Sequence, residues 1–443
     1  MANREMKDSG IEWIGRIPIN WKISKVKHIA YIQGGSGFPA KLQGKNNGKY
    51  PFYKNSDFSN NGRNLIYANN YVDDRDVIDS KLNIIPTGSI VMSKIGESMK
   101  KNHRKITTEP SVVDNNLQAL ILKGSKKLSL IFFYYLMSII DSNWFDNKGT
   151  VPSINNNLLR HETVYLPNIE EQQKIATFLD EKVSHIDNII EDTKKSIENL
   201  KTYKQSLITE TITKGLDPNV EMKDSGIDRI GGIPLHWKLK KLKYILSNEK
   251  NSIRVGPFGS HLKNNDFVEE GKWVYNQRIV LDNNYNSNDT FITEGKYKEM
   301  HAFKVEYKDI LLTTRGTIGK ISRVPKQFKE GIIHSSVIKF RLDESKFTYG
   351  LLEYLFNESS FIKEQILQLS NATTIEVIYS NTLKNVLIPV PSLEEQDRII
   401  CFLDEKITKL NTILEEKEFL ISELESYKKS LIYEYVTGKK EVK

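Results

Sequence analysis

Two stretches of the sequence are rich in side chains that can hydrogen-bond to the bases and phosphates of nucleic acids. Arg, Lys, Asn and Gln match the donor and acceptor patterns of base edges, and Lys, Arg, Ser and Thr pair with phosphate oxygens. In the first stretch the candidates occupy a Gly-rich loop, a strand end and a basic run: Gln33, Ser36, Lys41, Tyr53, Lys54, Asn55, Lys94, Lys100, Lys101, Asn102 and Arg104. In the second stretch they are Arg254, Ser260, Lys263, Asn276, Gln277, Arg278, Arg315, Thr317 and Lys320.

The two candidate sets are similar in arrangement and different in side chains. Asn115-Asn116 and His334-Ser335-Ser336 occupy similar places after the basic strands, and Asn276-Gln277-Arg278 corresponds to Tyr53-Lys54-Asn55. Different side chains at corresponding places predict different target sequences for the two stretches. For each cluster, a solvated loop with structural glycines is the alternative interpretation.

The sequence contains no arrangement of residues that is typical of an active site. An amino-methyltransferase needs an Asn/Asp-Pro-Pro-aromatic loop to hold its target amine, and none occurs. Residues 35–40 resemble part of a dinucleotide-binding loop, but Pro39 interrupts the helix start, and residues 316–320 lack the spacing of a phosphate-binding loop. The eight histidines show no metal-ligand spacing. We therefore expect no catalysis and no cofactor in this chain.

Length and composition indicate a globular protein of two to four domains. The 443 residues are 39% hydrophobic and 27% charged, and the net charge of +8 permits a nucleic acid partner without proving one. The single cysteine, Cys401, excludes an intramolecular disulfide and favours a cytoplasmic protein. No stretch approaches the ~20 apolar residues of a membrane span, and the first ten residues lack a signal-peptide core.

Two sequence markers occur twice, which indicates a tandem duplication. The first marker, Met-Lys-Asp-Ser-Gly-Ile leading through Ile-Pro to Trp-Lys, begins at Met6 and again at Met222. The second marker, Glu-Glu-Gln leading through Ile to Phe-Leu-Asp, begins at Glu170 and again at Glu394. The regions between them share short predicted strands and one late helix (128–141 and 349–369), yet they align poorly. The scaffold is therefore repeated and its contents have diverged.

A long helix begins at each copy of the second marker. Apolar residues at alternating steps of three and four, sustained over about five heptads, predict a coiled coil rather than a globular core helix. The predicted seam comprises Val183, Ile186, Ile190, Ile197 and Leu200 on the first helix and Ile407, Leu410, Leu414, Ile421 and Leu424 on the second. Polar residues interrupt both seams at matching places, where they either fix the register or mark a wet part of the seam: Thr193 with Lys417, and Lys204 with Lys428.

The predicted fold class is α+β, with two α/β domains separated by two long helices that pair as an antiparallel coiled coil in a pseudo-two-fold tandem repeat. In order, we predict a marker (1–22), a first domain (23–166), a central helix (167–215), a linker with the second marker (216–238), a second domain (239–388) and a C-terminal helix (389–443). Trp21 and Trp237 are predicted to pack the marker segments against helix ends.

The duplicated markers resemble those of specificity subunits of type I restriction–modification systems. The resemblance rests on the Met-Lys-Asp-Ser-Gly-Ile opening, on the Pro…Glu-Glu-Gln…Phe-Leu-Asp helix start, and on two phrases of the second domain. These phrases are Arg-Val-Gly-Pro-Phe-Gly-Ser from Arg254 and Thr-Arg-Gly-Thr-Ile-Gly from Thr314. The resemblance covers essentially the whole chain, in order and twice.

The resemblance implies a non-catalytic DNA-binding subunit. Its two target-recognition domains would each recognise one half of a split, asymmetric double-stranded DNA sequence, and its helices would set the spacing. Methylation subunits that modify adenine, and restriction subunits, would be its partners, and S-adenosylmethionine, ATP and Mg would belong to those partners. From the residues alone, a coiled-coil tethering protein and a fused DNA methyltransferase or nuclease of unusual type stay open as alternatives.

Overall fold

The structure, a computed structural model, describes residues 4–124, 127–227, 231–249, 252–258, 261–369 and 378–442. The chain divides into two units: the first is Met1–Thr193 with Glu418–Lys443, and the second is Lys194–Lys417. In the described ranges, every helix is either too short or too polar to cross a membrane.

The first unit is built from two sheets and four further strands paired two by two. Its strands are β1 (Met6–Asp8), β2 (Arg16–Pro18), β3 (Lys22–Lys25), β4 (Ala30–Gly34), β5 (Tyr50–Tyr53), β6 (Asn64–Leu65), β7 (Asn70–Val72), β8 (Ile84–Ile85), β9 (Ile90–Ser93), β10 (Arg104–Thr107), β11 (Ser111–Val113), β12 (Leu117–Leu122) and β13 (Thr163–Leu166). A five-stranded sheet has the order β4-β12-β9-β10-β6 and a four-stranded sheet the order β7-β5-β11-β8. β1 pairs with β2, and β3 pairs with β13.

The helices of the first unit, except that of residues 74–79, cover one face of the five-stranded sheet; the exception packs on the four-stranded sheet through Val77. They are α1 (Val26–Ile29), α2 (Asp74–Asp79), α3 (Glu97–Lys100), α4 (Leu130–Ile139), α5 (Asn156–His161) and the start of α6 (Ile169–Lys214). Because side chains alternate along a strand, Ile90 and Met92 join the core that contains α4, whereas Val91 joins the core between the two sheets. The late helix predicted at 128–141 is thus confirmed in slightly shorter form.

The second unit repeats the central part of this topology, with one strand fewer in the first sheet and a different edge strand in the second. Its strands are β14 (Met222–Asp224), β15 (Gly232–Pro234), β16 (Lys238–Lys241), β17 (Ile253–Val255), β18 (Phe267–Val268), β19 (Lys272–Tyr275), β20 (Phe291–Ile292), β21 (Ile310–Thr313), β22 (Ile321–Arg323), β23 (Gly331–Ile333), β24 (Val337–Phe340) and β25 (Leu387–Val390). The sheets have the orders β17-β24-β21-β22 and β18-β20-β19-β23, and β16 pairs with β25 as β3 pairs with β13. The pairs β3–β13 and β16–β25 lie close to the predicted ends of the two domains. The domain boundaries remain predictions.

The late helix of the second unit is interrupted, contrary to the prediction of one helix over 349–369. The helices here are α7 (Gln277–Asp282), α8 (Glu294–Glu299), α9 (Tyr349–Glu353), α10 (Phe361–Leu369), α11 (Ser380–Asn385) and α12 (Leu393–Val436). A π-helical turn follows α9, and Ser359 is extended before α10 begins. The side chain of Asn357 exchanges two hydrogen bonds with the backbone of Ile321 (2.8 and 2.9 Å). This long-range pairing fixes the break.

The helices α6 and α12 pair antiparallel, which confirms the predicted fold class. In the first unit the ring of Phe178 lies 4.5 Å from that of Tyr435, and farther along α6 Asp187 binds Lys428 at 2.6 Å. Residues later along α6 thus contact residues earlier along α12, so the two helices run in opposite directions. Of the predicted seam, Ile186, Ile190, Ile197, Ile407 and Leu410 are buried, and Val183, Leu200, Leu414, Ile421 and Leu424 are half-buried.

Two of the polar interruptions in the seam make contacts between the helices. The Lys428 ammonium pairs with Asp187 in the first unit, and in the second unit the Lys204 ammonium donates to Asn411 Oδ1 at 3.0 Å. Asn411 is the repeat counterpart of Asp187. Polar pairs of this kind favour one register over its alternatives, so the structure supports the register interpretation for these two lysines.

Each tryptophan of the first marker joins the start of one long helix to the end of the other. In the first unit, Trp21 Nε1 donates to Glu171 Oε1 (3.2 Å), while Gly438, just after α12, lies against the same indole. The second unit repeats this arrangement with Trp237, Glu395 and Gly215. The prediction that these tryptophans pack at helix ends is confirmed.

A buried glutamine in each second marker attaches the domain to its long helix. The Gln172 amide donates to the carbonyl oxygens of Lys127 (3.2 Å) and Pro167 (2.9 Å), and its Oε1 accepts from the Ser129 N–H (2.9 Å). Gln396 makes the same three hydrogen bonds in the second unit, with Lys346, Pro391 and Thr348. A tyrosine–aspartate hydrogen bond accompanies each glutamine: Tyr135 to Asp180 and Tyr354 to Asp404.

Candidate nucleic-acid interface

One edge of the five-stranded sheet collects most of the candidate residues of the first unit. Leu117 lies opposite Ser93, and Gln118 lies opposite Gly34. The loops that follow β4 and β9 therefore leave the sheet beside the loop that precedes β12.

Backbone hydrogen bonds hold these loops together. The Lys94 N–H donates to the Asn116 carbonyl (2.8 Å), and the Asp114 N–H donates to the Tyr53 carbonyl (2.9 Å). Candidates that lie far apart in sequence thus share one surface, because strand pairing, and not local sequence, sets their separation.

The second unit forms an equivalent edge. Thr313 lies opposite Val337, and Val255 lies opposite Ile338. The loops that carry Arg254, Arg315 and His334 are therefore brought to one side of the sheet.

The loops of this second edge are fixed by the same two backbone hydrogen bonds. The Thr314 N–H donates to the Ser336 carbonyl (3.0 Å), and the His334 N–H donates to the Tyr275 carbonyl (3.0 Å). The predicted equivalence of residues 115–116 with residues 334–336 is thereby confirmed.

A glycine is required in the loop after β4 and in the loop after β17. At these places the backbone passes close to the loop after β11 in the first unit and to the loop after β23 in the second. A Cβ on Gly35 would lie 1.9 Å from the Asp114 carbonyl oxygen, and a Cβ on Gly256 would lie 1.9 Å from that of His334. No side chain fits such a gap, so the glycine-rich character of both loops has a structural cause.

The structure shifts the correspondence between the two candidate sets by one residue. Tyr53 lies opposite Val113, and Tyr275 lies opposite Ile333 in the equivalent parallel pair. The predicted comparison of Tyr53 with Asn276 was wrong, since local sequence does not show where each strand ends. The equivalent positions are instead Lys54 with Asn276, Asn55 with Gln277, and Ser56 with Arg278.

The first edge presents mainly lysines. Lys41, Lys100 and Lys101 are exposed, whereas Gln33, Lys54, Asn55 and Lys94 are half-buried. The Lys54 ammonium lies 3.4 Å from the ring centroid of Phe38 and donates to Gln43 Oε1 (2.7 Å). Asn55 Oδ1 accepts from the Ser93 hydroxyl (2.5 Å).

Arg104 lies inside the first domain and cannot reach a nucleic acid there, contrary to its inclusion among the candidates. Its guanidinium donates to Asn102 Oδ1 (2.9 Å), to the Ser142 hydroxyl (3.0 Å) and to the Ile140 carbonyl (3.2 Å). Burial lowers the pKa of Arg104 to about 10. Asn102 is occupied by the same network and has a left-handed φ of 53°. Both residues support the hairpin that carries Lys100 and Lys101.

Two further candidates of the first domain have structural surroundings. The Tyr53 side chain is fully buried between the sheets. Ser36 is buried as well, and its hydroxyl accepts from the Asn83 N–H (2.7 Å). Sequence spacing placed both residues at the edge but could not show which way their side chains point.

The second edge presents arginine and amide side chains. Lys263, Arg278, Arg315 and Thr317 are exposed, Arg254, Asn276, Gln277 and Lys320 are half-buried, and Ser260 lies outside the described residues. Asn276 caps α7 by accepting from the Arg278 N–H (2.9 Å). The Lys320 ammonium donates to the Asn357 carbonyl, and burial lowers its pKa.

His334 lies in the middle of the second edge and is half-buried. Its Nδ1 accepts from the Ser336 N–H (3.2 Å). Burial, together with the charge of Arg315, lowers the pKa of His334. Across the residues that the structure describes, His, Cys, Asp and Glu side chains form no group of three that could hold a metal ion.

Sequence reasoning missed the functional importance of the glutamines that attach each edge-bearing domain to the helices. Gln172 and Gln396 were parts of a repeated marker, and their repetition was the available signal. Their buried, fully hydrogen-bonded amides explain why the marker requires Gln after Glu-Glu.

Comparison with known families and proteins agrees with this architecture. Residues 18–199 and 249–423 match the type I restriction modification DNA specificity domain. The chain is similar to the specificity subunit of the type I restriction enzyme MjaVIII of Methanocaldococcus jannaschii, with 25% identity over 437 residues that cover 97% of this chain and 95% of that protein.

Two solved structures share the fold. A chain from a study of complex assembly and conformational transition in a type I R-M system gives a TM-score of 0.69 at 14% identity, covering 95% of this chain and 98% of that chain. The HsdS subunit of Thermoanaerobacter tengcongensis gives 0.54 at 14% identity, covering 98% and 100%. Because the family match takes in both halves and most of the sequence, the chain belongs to the type I restriction–modification specificity subunits, which serve DNA target recognition.

Proposed function

We propose that this specificity subunit recognises a bipartite, asymmetric DNA sequence and carries the methylation and restriction subunits on its paired helices. One observation carries the proposal: two edges of the same topology present different side chains at equivalent positions. A palindromic target would favour like side chains at these places.

The chemical differences between the edges support unlike half-sites. Lys54 in the first edge is replaced by Asn276, whose side chain caps α7, and the exposed Ser56 is replaced by the exposed Arg278, beside the amide of Gln277. Arginine pairs with guanine and an amide with adenine through two hydrogen bonds each, whereas lysine acts as a point charge on guanine or phosphate. The lysines of the first edge and the arginines of the second would also provide the salt-dependent part of the affinity.

The long helices support a fixed separation between the half-sites. Helix α6 spans 46 residues and α12 spans 44, and neither contains Pro or Gly. An uninterrupted helix has a constant rise per residue. We therefore expect a spacer with a constant number of unspecified base pairs.

Exposed apolar side chains on the helices support subunit docking. In the first unit, α12 exposes Phe419, Leu420 and Tyr427, and in the second unit α12 exposes Ile413 while α6 exposes Tyr203. Neighbouring large apolar side chains that remain in water commonly mark a protein-binding surface. These side chains are 40–67% exposed although the helices are already paired, so they stay available to a partner.

Domain exchange tests the modular recognition. Residues 23–166 are replaced by the same region of another family member, and methylated adenines are mapped across the genome. We expect one half of the methylated sequence to change while the other half and the spacer persist. A change in both halves would contradict the proposal, and a size-exclusion profile of the complex checks that the exchanged protein still assembles.

A pair of double variants tests the docking surface. Leu420→Glu with Tyr427→Glu should prevent co-purification of the methylation subunits, because two charges would be buried in an apolar contact. Ser422→Glu with Ser426→Glu adds the same charges to α12 at exposed positions outside the apolar set. Equal assembly of both double variants would refute docking at this surface.

A further inference from the structure

A small hairpin finger, residues 146–154, projects beside the first edge and belongs to none of the candidate clusters. Asp146 pairs with Ile154, and the Asn147 N–H donates to the Ser153 carbonyl (2.9 Å). The Ser153 N–H in turn donates to Asp146 Oδ1 (3.0 Å). The base of the finger is therefore ordered, and its only carboxylate points inward.

The finger is attached to the loop that contains Lys94. The Gly96 N–H donates to the Pro152 carbonyl (2.8 Å), and the Ile154 N–H donates to the Lys94 carbonyl (2.9 Å). Ile95 pairs with Ser153 in antiparallel fashion. These contacts attach the base of the finger to the loop that follows β9, so the tip of the finger projects beside the recognition edge.

The tip has the composition of a DNA contact. Residues 147–151 are all exposed: Asn147, Lys148, Gly149, Thr150 and Val151. Lys148 has a left-handed φ of 54°, and 58% of the Val151 surface is exposed. A cation, two small polar residues and one projecting apolar group can meet a phosphate and the adjoining groove surface. An apolar protein-docking site would need more apolar area than one valine provides.

We propose that this finger is an additional DNA-contacting element of the first recognition domain, in which Lys148 binds a backbone phosphate and Val151 rests against the adjoining groove. The proposal rests on the proposed DNA recognition by the first edge. The neighbouring cations Lys94, Lys100 and Lys101 would hold the duplex within reach of the tip. The finger then fixes the register of the duplex on the edge, while the edge residues contact the bases.

The charge is tested by Lys148→Asn, which removes the ammonium and keeps a residue that tolerates left-handed φ. Binding of the complete complex to a duplex with the mapped target is measured against salt concentration. One lost phosphate contact lowers the slope of log K against log salt by about 0.9, which corresponds to an affinity loss of about fivefold at 0.15 M salt.

Lys308→Asn is the matched control for this variant. Lys308 also has a left-handed φ, of 69°, and its loop precedes β21 at the opposite end of the strand from the second edge. Its ammonium pairs with Glu344 at 2.6 Å, but both side chains are more than 40% exposed, and such a surface ion pair contributes at most about 1 kcal/mol. The control should retain the full salt slope. An unchanged slope for Lys148→Asn, with unfolding temperatures equal for both variants, would overturn the finger contact.

The apolar contact is tested by Val151→Thr and Val151→Glu. The Val151→Thr variant keeps the branched shape, so its dissociation constant for DNA should stay within about twofold of that of the unsubstituted chain. The Val151→Glu variant places a carboxylate against phosphates and should bind DNA at least tenfold more weakly. Loss of methylation-subunit assembly with normal DNA binding would show a protein contact instead and would refute the proposal. If the unsubstituted complex shows no preference for its target, the proposed function itself fails.

Discussion

Replacing Gln172 with leucine should loosen the first recognition domain from its helix. The Gln172 side chain is 1% exposed and makes three hydrogen bonds, with Lys127, Pro167 and Ser129. Leucine has nearly the same size but can make none of them. Two carbonyl groups and one N–H group would then be left without their partner in a part of the protein that water does not reach.

The expected loss of stability follows from these three bonds. A neutral hydrogen bond contributes about 1 kcal/mol net, and a buried polar group left without a partner costs about 1–3 kcal/mol. Three buried groups left without a partner therefore give a decrease of at least about 3 kcal/mol in the free energy of unfolding of the first unit. A decrease of that size lowers its folding constant by a factor of about 150.

Urea denaturation and hydrogen exchange would measure this loss. Exchange of the α4 amides should accelerate, because Ser129 caps α4 through its hydroxyl (3.4 Å to the Phe132 N) and Gln172 holds Ser129. The control is Gln173→Leu, the same substitution one residue later on the exposed face of α6. Gln396→Leu should give the corresponding loss in the second unit and leave the first unit unchanged.

The reasoning would be refuted if Gln172→Leu matched Gln173→Leu in stability within 0.5 kcal/mol (about the error of such comparisons). It would also be refuted if Gln396→Leu accelerated exchange in α4. Either result would mean that the glutamine is a passive part of the helix start.

Three further predictions concern other parts of the scaffold. Trp21→Phe removes the hydrogen bond to the Glu171 carboxylate (3.2 Å) and should cost about 2 kcal/mol in urea denaturation. Trp144→Phe should cost less, about 1 kcal/mol or under, because Trp144 is 46% exposed and loses only part of its ring contact with Trp13 (centroids 4.9 Å apart). Gly438→Ala should destabilise the first unit by at least 1 kcal/mol more than Gly226→Ala destabilises the second. Both glycines have φ near +70°, where the strain of a side chain alone costs about 1 kcal/mol. Only at Gly438 would the added Cβ also clash, 2.5 Å from Pro18. The pKa of His334 is lowered in the folded state, so its contribution to stability is present above about pH 6.5 and is lost as the pH falls through the folded-state pKa. His334→Asn should therefore reduce the loss of thermal stability at acid pH. An unchanged dependence of the unfolding temperature on pH would contradict this prediction.

The sequence predicted the scaffold accurately because its signals are periodic or repeated. The sequence placed a long central helix within residues 167–215, beginning at the marker at Glu170, and the structure has Ile169–Lys214. Heptad spacing depends only on helix geometry, so it can be recognised along a single segment. The two copies of each marker likewise showed the duplication before any three-dimensional information was used.

The candidate interface was predictable as a set of loops but not as a set of side chains. Lys100, Lys101, Arg278 and Arg315 are exposed as the DNA hypothesis requires, whereas Arg104 and Tyr53 are buried. All six lie in similar polar surroundings in the sequence. Their different environments arise because α4 and the turn after it cover Arg104, and because the Tyr53 side chain points from β5 into the core between the two sheets.

Sequence by itself determined the repeated scaffold, the length of the helices and the general position of the two polar regions that we propose contact DNA. Tertiary structure alone decided which strands meet at each edge, how Tyr53 corresponds to Tyr275, and where Gln172 and Gln396 attach the domains. The physical reason is the separation along the chain. β4 pairs with β12 across about ninety residues, and burial at such a contact depends on both partners, whereas a heptad or a repeat is contained in one continuous segment.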